Sequence, residues 1–275
     1  MKVNNNQNKI STQFSANVLQ QQLLRNSSGL AKSSKMTLPS SSYKNDIVIN
    51  PCKSSKKPSK ISNSILSLYS PKQLLSMYSS PDYVDYLVSS NPKVKDILDS
   101  KGLGVNINPS NIRNIMNTHL TTTTAYALQI ANKMGLSQLD KKDLEMACVF
   151  HDFGKVLIPE EIINKPEALT QKEKEIIDLH AELGYELLTN SGINNRVLSL
   201  IKNHHMPQGQ NADVLSQILS VADIYSALRE ERSYKQELHE EDALYLLDQK
   251  ALKGEVSTEV VEALKATVIS AAGVA

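Results

Sequence analysis

The sequence predicts an all-α protein, and three observations carry that expectation. Apolar residues recur at three- and four-residue spacing from Ser110 onward, with almost no alternating strand pattern. Capping residues stand where each apolar run begins, as in Thr170 with Glu173 three residues later. Glycine or a polar turn follows most runs, as at Gly135 and Gly254.

In chain order, residues 61–108 predict short helices over Ile61 to Tyr69, Pro71 to Tyr78 and Pro81 to Val88. Proline opens two of them at a first-turn position, and Tyr78, Tyr83 and Tyr86 offer anchors for packing on a main domain at 109–275. Ser110 caps a helix running through Met134. Asp140-Lys141-Lys142-Asp143 reads as a capping box for the next, whose face carries Leu144, Ala147, Cys148 and His151 and which Gly154 ends. Thr170 opens a helix toward Leu188, Asn194 or Asn195 one that reaches His205, and Asp213 one through Leu228. Two more end near Gly254 and Ile269.

Charge separates a tail from this body. Residues 1–60 hold ten Lys or Arg against the single acid Asp46, a net +9, while the remainder carries 20 basic against 28 acidic side chains, a net −8. The tail is crowded with Ser and Asn and has too few apolar residues to offset the entropy of ordering, so it is expected to be disordered. It reads first as a solvated linker and second as a tether to an anionic surface. Nothing interleaves aromatics with its lysines, so a nucleic-acid groove is not indicated. No apolar run reaches the roughly 18 residues of a membrane span, and the N-terminus lacks the apolar core of a signal peptide. Cys52 and Cys148 form neither a disulfide framework nor a zinc pattern, and Cys148 reads as a small core residue. These features suit a cytoplasmic protein.

The chemistry gathers around Phe150-His151-Asp152-Phe153-Gly154-Lys155. An imidazole ligates one metal, whereas a carboxylate has two oxygens and can bridge a second, so adjacent His and Asp can serve two ions. Five of the six histidines, 119, 151, 180, 204 and 205, fall in one 87-residue window, each on the apolar face of an expected helix; His239 lies apart and receives no role. A lone inward histidine is more often a hydrogen-bonded core residue than a ligand. Five of them converging with Asp152 and Asp223 would be hard to satisfy without a cation. Imidazoles with carboxylates and no thiolate suit iron, manganese or zinc over calcium or magnesium.

The order His119, His151-Asp152, His180, His204-His205, Asp223 resembles the metal set of the HD superfamily of phosphohydrolases, specifically its HD-GYP branch, over about residues 110–240. Ile158-Pro159, Asn164-Lys165-Pro166, Gly184-Tyr185-Glu186 and Val221 to Leu228 strengthen the likeness. The resemblance implies an HD-domain helical bundle with two divalent transition-metal ions, iron or manganese foremost. It makes Asp152 the bridging, catalytic ligand and points Lys155 at the substrate phosphate. Arg232 and Lys235 resemble the family's basic pair that grips nucleotide phosphates, although on charge alone they read first as a solvated face.

Two departures qualify it. After the paired histidines the chain reads Met206-Pro207-Gln208-Gly209-Gln210-Asn211-Ala212-Asp213, without the Gly-Tyr-Pro triplet that helps hold cyclic di-GMP. Ile115, four residues before His119, stands where some members place a glutamate for a third metal, so two ions are expected. The leading expectation is a metal-dependent phosphohydrolase acting on a nucleotide or cyclic dinucleotide such as cyclic di-GMP. The rival is a signalling or scaffold module that keeps the bundle without catalysis. A homo-oligomer is compatible with either.

Overall fold

In a computed structural model of the protein, the structure describes residues 68–108, 111, 118–206, 212–230 and 236–272, all within one unit spanning Asn50–Ala275. The expected disordered tail, residues 61–67 of the helix expected over Ile61 to Tyr69, the Ser110 cap, Ile115, the loop at 207–211 and the basic residues Arg232 and Lys235 lie outside the described residues. The described residues form helices and no strand.

Helices α1 (Pro71–Tyr78), α2 (Pro81–Ser90) and α3 (Pro92–Ser100) come first, each with proline in its first turn. Ser70 caps α1 in a full capping box with Gln73, and Asn91 caps α3 through Lys93 N. α3 was not anticipated, although Asn91-Pro92 carries the same cap-then-proline signal as the two helices before it. The three pack on the main bundle. Tyr78 is fully buried, stacks on Tyr83 at 5.0 Å and donates to Ser191 O at 3.1 Å. Asn91 donates to both the main-chain oxygen and the carboxylate of buried Glu186, at 2.9 and 2.8 Å.

The bundle follows as α4 (Thr118–Lys133), α5 (Gln138–Phe150), a 3-10 turn (Phe153–Leu157), the single turn α6 (Glu160–Ile163), α7 (Gln171–Leu188), α8 (Asn195–Asn203), α9 (Val214–Leu228), α10 (Glu240–Leu252) and α11 (Thr258–Ala272). α4 packs along α5 and α9, and α7 lies across the 3-10 turn and against α8. One continuous apolar core runs through them, including Ile130, Leu144, Phe150, Phe153, Leu183, Ile201, Leu219 and Tyr225.

Most expected caps hold. Thr170 and Glu173 form the reciprocal box of α7, Asn194 accepts from Val197 N at the start of α8, and Asp213 accepts from Leu215 N at the start of α9. Two expectations need correction. α5 is capped by Ser137, whose hydroxyl accepts from Asp140 N, so Asp140 lies inside the helix. The reason lies upstream: Gly135, at φ +71°, closes α4, with Leu136 N returning to Ala131 O at 2.9 Å, and the chain is ready to restart at once.

Gly154 does not end α5 either. The helix stops at Phe150 with His151 as its C-cap, and Gly154 sits inside the 3-10 turn. Its role is close approach. A Cβ there would lie 2.1 Å from His180 O and 2.6 Å from Gly184 N, so the turn and α7 touch main chain to main chain. That contact brings His151 and Asp152 against His180.

Gly154→Ala should therefore cost about 3 kcal/mol or more, because backbone must move rather than a flexible side chain. Gly104→Ala, where an added Cβ meets nothing within 4 Å, serves as the control and should change stability by less than about 0.5 kcal/mol. Chemical denaturation of both variants checks the difference.

Candidate metal centre

The residues singled out in the sequence arrive from five elements. His119 comes from α4, His151 and Asp152 from the end of α5, His180 from the middle of α7, His204 and His205 from the end of α8, and Asp223 from α9. His151 and His204 are fully buried, His180, Asp152, His119 and Asp223 nearly so, and His205 opens to solvent.

Local geometry aims the rings. His151 and His204 are helix C-caps, and each donates Nδ1–H to the carbonyl three residues back, Cys148 O at 2.8 Å and Ile201 O at 2.7 Å. Such carbonyls have no intrahelical partner, so the ring satisfies the helix end while its own tautomer is fixed. His180 makes the same bond to Ile177 O at 2.6 Å. In all three Nε2 is left facing inward.

The inward nitrogens then meet one another. His180 Nε2 lies 3.2 Å from His204 Nε2 and 3.1 Å from His205 Nε2. His151 Nε2 is buried without any hydrogen-bond partner, 3.5 Å from Asp152 Oδ2 and 3.6 Å from Asp223 Oδ1. Asp152 Oδ1 stands 3.4 Å from His180 Nε2, and Lys155 Nζ donates to Asp152 Oδ2 at 2.7 Å. Three groups in this region could each hold a cation: His180, His204 and His205; His119, His151 and Asp223; and His151, Asp152 and His204.

Electrostatics divide the centre. Burial, helped by the Lys155 charge, pushes the His180 imidazole down to about 3, and burial likewise lowers His204 and His205. At His119 burial opposes the charged form, but hydrogen bonds to Asp223 at 2.9 Å and to Glu230 outweigh it and raise the ring to about 9. Burial also works against charge at His151, where Asp152 and Asp223 prevail and raise it. Burial would raise both aspartates, yet Lys155 and the imidazoles around Asp152, and His119 and His151 at Asp223, hold them well below the usual carboxylate range.

The structure gathers the seven candidate ligands and Lys155 in one place, and behind His119 it adds a network that the sequence reading missed. Glu230 places its carboxylate 3.1 Å from His119 Nδ1, and the hydroxyls of Thr122 and Ser226 donate to it at 2.9 and 3.1 Å. The signal was present: Ser226 and Glu230 follow Asp223 by three and seven residues, the spacing of one helical stripe, which Glu230 continues just past the end of α9.

Comparison with known proteins agrees with this geometry over part of the chain. Residues 117–228 match the HD domain family, the family whose metal set the histidine order resembles. A cyclic di-GMP phosphodiesterase response regulator of Xanthomonas campestris pv. campestris is 34% identical over 121 residues, covering 39% of this chain and 32% of that protein. A cyclic di-GMP phosphodiesterase of Thermotoga maritima is 33% identical over 165 residues, covering 54% and 44%. A 3'3'-cGAMP-specific phosphodiesterase of Vibrio cholerae is 30% identical over 131 residues, covering 42% and 25%. The chain spans less than half the length of each of these relatives. Among the described residues no helix is long and apolar enough to cross a membrane.

The metal-free protein should show opposed pH effects on stability. His180, His204 and His205 stay neutral in the folded state, whereas unfolded histidines take up a proton near ~6.5. The unfolded chain then binds more protons below ~6.5, so stability falls as pH drops from there toward about 3. His119 acts in the other direction: its contribution is complete below ~6.5 and is lost as pH rises through about 9. Thermal melting in excess chelator should be highest near pH ~6.5 and lower toward both pH ~5 and pH ~9. A melting temperature constant across that range would contradict the assignment.

Proposed function

We propose that the protein is a metal-dependent phosphodiesterase acting on a cyclic dinucleotide or related nucleotide, with two divalent transition-metal ions sharing Asp152. One observation carries this reading: the Nε2 of buried His180 lies 3.2 Å from that of buried His204 and 3.1 Å from that of solvent-open His205, with a partnerless His151 Nε2 beside two ionised aspartates. Lone pairs that converge in a water-poor interior repel, and a buried polar atom without a partner costs about 1–3 kcal/mol. Cations at these points would turn the repulsion into ligation. The donor set fits them, with imidazole nitrogens and carboxylate oxygens and no thiolate among the grouped residues, which favours iron, manganese or zinc.

His119, His151 and Asp223 would hold one ion and His180, His204 and His205 the other, with Asp152 between His151 and His180 suited to touch both. When bound, such a pair supplies a hydroxide at neutral pH and a clamp for the oxygens of a phosphodiester. Lys155 stands at the edge of the cluster with its ammonium on Asp152, placed to meet a phosphate oxygen and offset its developing charge. Arg232 and Lys235 are proposed to grip a second phosphate. The cyclic dinucleotide substrates named for the Xanthomonas, Thermotoga and Vibrio relatives support the substrate class. The absence of a Gly-Tyr-Pro triplet after His205 removes substrate-holding contacts rather than ligands, so base selectivity is expected to be relaxed.

The test is hydrolysis of a panel containing cyclic di-GMP, 3'3'-cGAMP, cyclic di-AMP, linear dinucleotides and a chromogenic bis-phosphodiester, each with iron, manganese and magnesium. Cleavage of at least one cyclic dinucleotide with iron or manganese is the expected result. Tight binding by the metal-loaded protein without cleavage of any would favour a sensor instead.

Two substitutions separate the roles. Asp152→Asn should lower metal content and reduce turnover by about 100-fold or more, since one carboxylate serves both ions. Lys155→Ala should leave metal content unchanged and lower kcat by about 10- to 1000-fold with a smaller effect on KM, as expected of charge that acts mainly in the transition state. Elemental analysis alongside steady-state kinetics checks both.

A further inference from the structure

The two candidate ion positions are built differently, and the difference lies in what stands behind the rings. At His151, His180 and His204 the outer nitrogen donates to a main-chain carbonyl. His119 instead faces a carboxylate: Glu230 Oε2 lies 3.1 Å and Ser226 Oγ 3.2 Å from its Nδ1. The carboxylate is itself held. Thr122 Oγ1 and Ser226 Oγ donate to Glu230 Oε1 at 2.9 and 3.1 Å and lie 2.6 Å from each other.

A carboxylate accepting Nδ1–H does two things that a carbonyl does less well. It fixes the tautomer with Nε2 toward Asp223 and His151, and it places a full negative charge behind the ring, which makes Nε2 the more basic donor. The position formed by His119, His151 and Asp223 therefore combines a ligating carboxylate with a supporting one. The position formed by His180, His204 and His205 offers three imidazoles, of which His205 is open to solvent. The carboxylate shared with it, Asp152, is already engaged by the Lys155 ammonium at 2.7 Å.

We propose that Glu230 is a positioning residue that makes the His119–His151–Asp223 position the tighter of the two, so that metal loads there first and the ion at His180, His204 and His205 is the exchangeable one. This rests on the two-ion reading above. Because a phosphodiester would be bound across both positions, partial loading at low metal would leave a folded protein unable to complete the pair.

The experiment titrates the metal-stripped 275-residue chain with Mn²⁺, following free Mn²⁺ by electron paramagnetic resonance. The wild type should bind in two steps, the first tighter than the second. Glu230→Gln keeps the side-chain size and a hydrogen-bonding oxygen and removes the charge; it should weaken the first step by about 10- to 100-fold and leave the second unchanged. His205→Gln should do the reverse, weakening only the second step. Thermal melting of each metal-free variant confirms that it is folded, and Ser226→Ala, which removes one hydroxyl from the Glu230 carboxylate, gives a milder loss in the same step should Glu230→Gln fail to fold. Two wild-type steps that Glu230→Gln leaves unaltered, or weakens equally, would overturn the inference alone. A wild type that binds no Mn²⁺, or a single ion, would overturn the two-ion reading and this inference with it.

Discussion

Everything at the centre of this protein follows from one electrostatic constraint: the neutral imidazoles of His180 and His204 are buried with their Nε2 lone pairs aimed at each other, and His205 joins them from the solvent side. His180, His204 and His205 meet at 3.1–3.2 Å, and His151 Nε2 has no hydrogen-bond partner. Protonating one ring would relieve the repulsion, but burial pushes His180 down to about 3 and lowers His204 as well. The outer nitrogens cannot help, because three of them are committed to carbonyls of their own helices. The fold holds an arrangement that is costly alone and favourable around cations, a pattern in which metal binding and stability are coupled.

That arrangement depends in turn on how closely the main chain can approach itself. The seven side chains come from five separate elements, and the approach with least slack is between the 3-10 turn after His151-Asp152 and the middle of α7. Gly154 against His180 O and Gly184 N leaves no room for a methyl group. Displacing α7 outward by a side chain's width would separate Asp152 from His180, which now stand 3.4 Å apart. On the opposite side the ladder of α4 against α9 brings His119 to Asp223, with Thr122, Ser226 and Glu230 as the next layer.

How much of this was legible in the sequence depends on the range of the interaction. Caps are local, so Thr170, Asn194 and Asp213 could be read directly. The Asp140 box failed because Ser137, three residues earlier, is an equally good cap and the tight Gly135 turn decides between them. Gly154 read as a terminator because its true reason, the path of α7, lies some thirty residues away. His119, His180 and Asp223 could be singled out from the apolar stripes of their own helices, and His151 and His204 stand as the caps where two more such stripes end. Glu230 could not be, since a glutamate just past a helix end reads as surface until His119 is known to lie across from it, although its spacing from Asp223 and Ser226 carried the stripe.

Anomalous diffraction from crystals grown with Mn²⁺ addresses the central claim most directly. The account predicts two peaks about 4 Å apart, one among His119, His151 and Asp223 and one among His180, His204 and His205, with Asp152 reaching both. A map with no peak in this cluster, or with manganese bound elsewhere while these imidazoles keep their metal-free spacing, would contradict it.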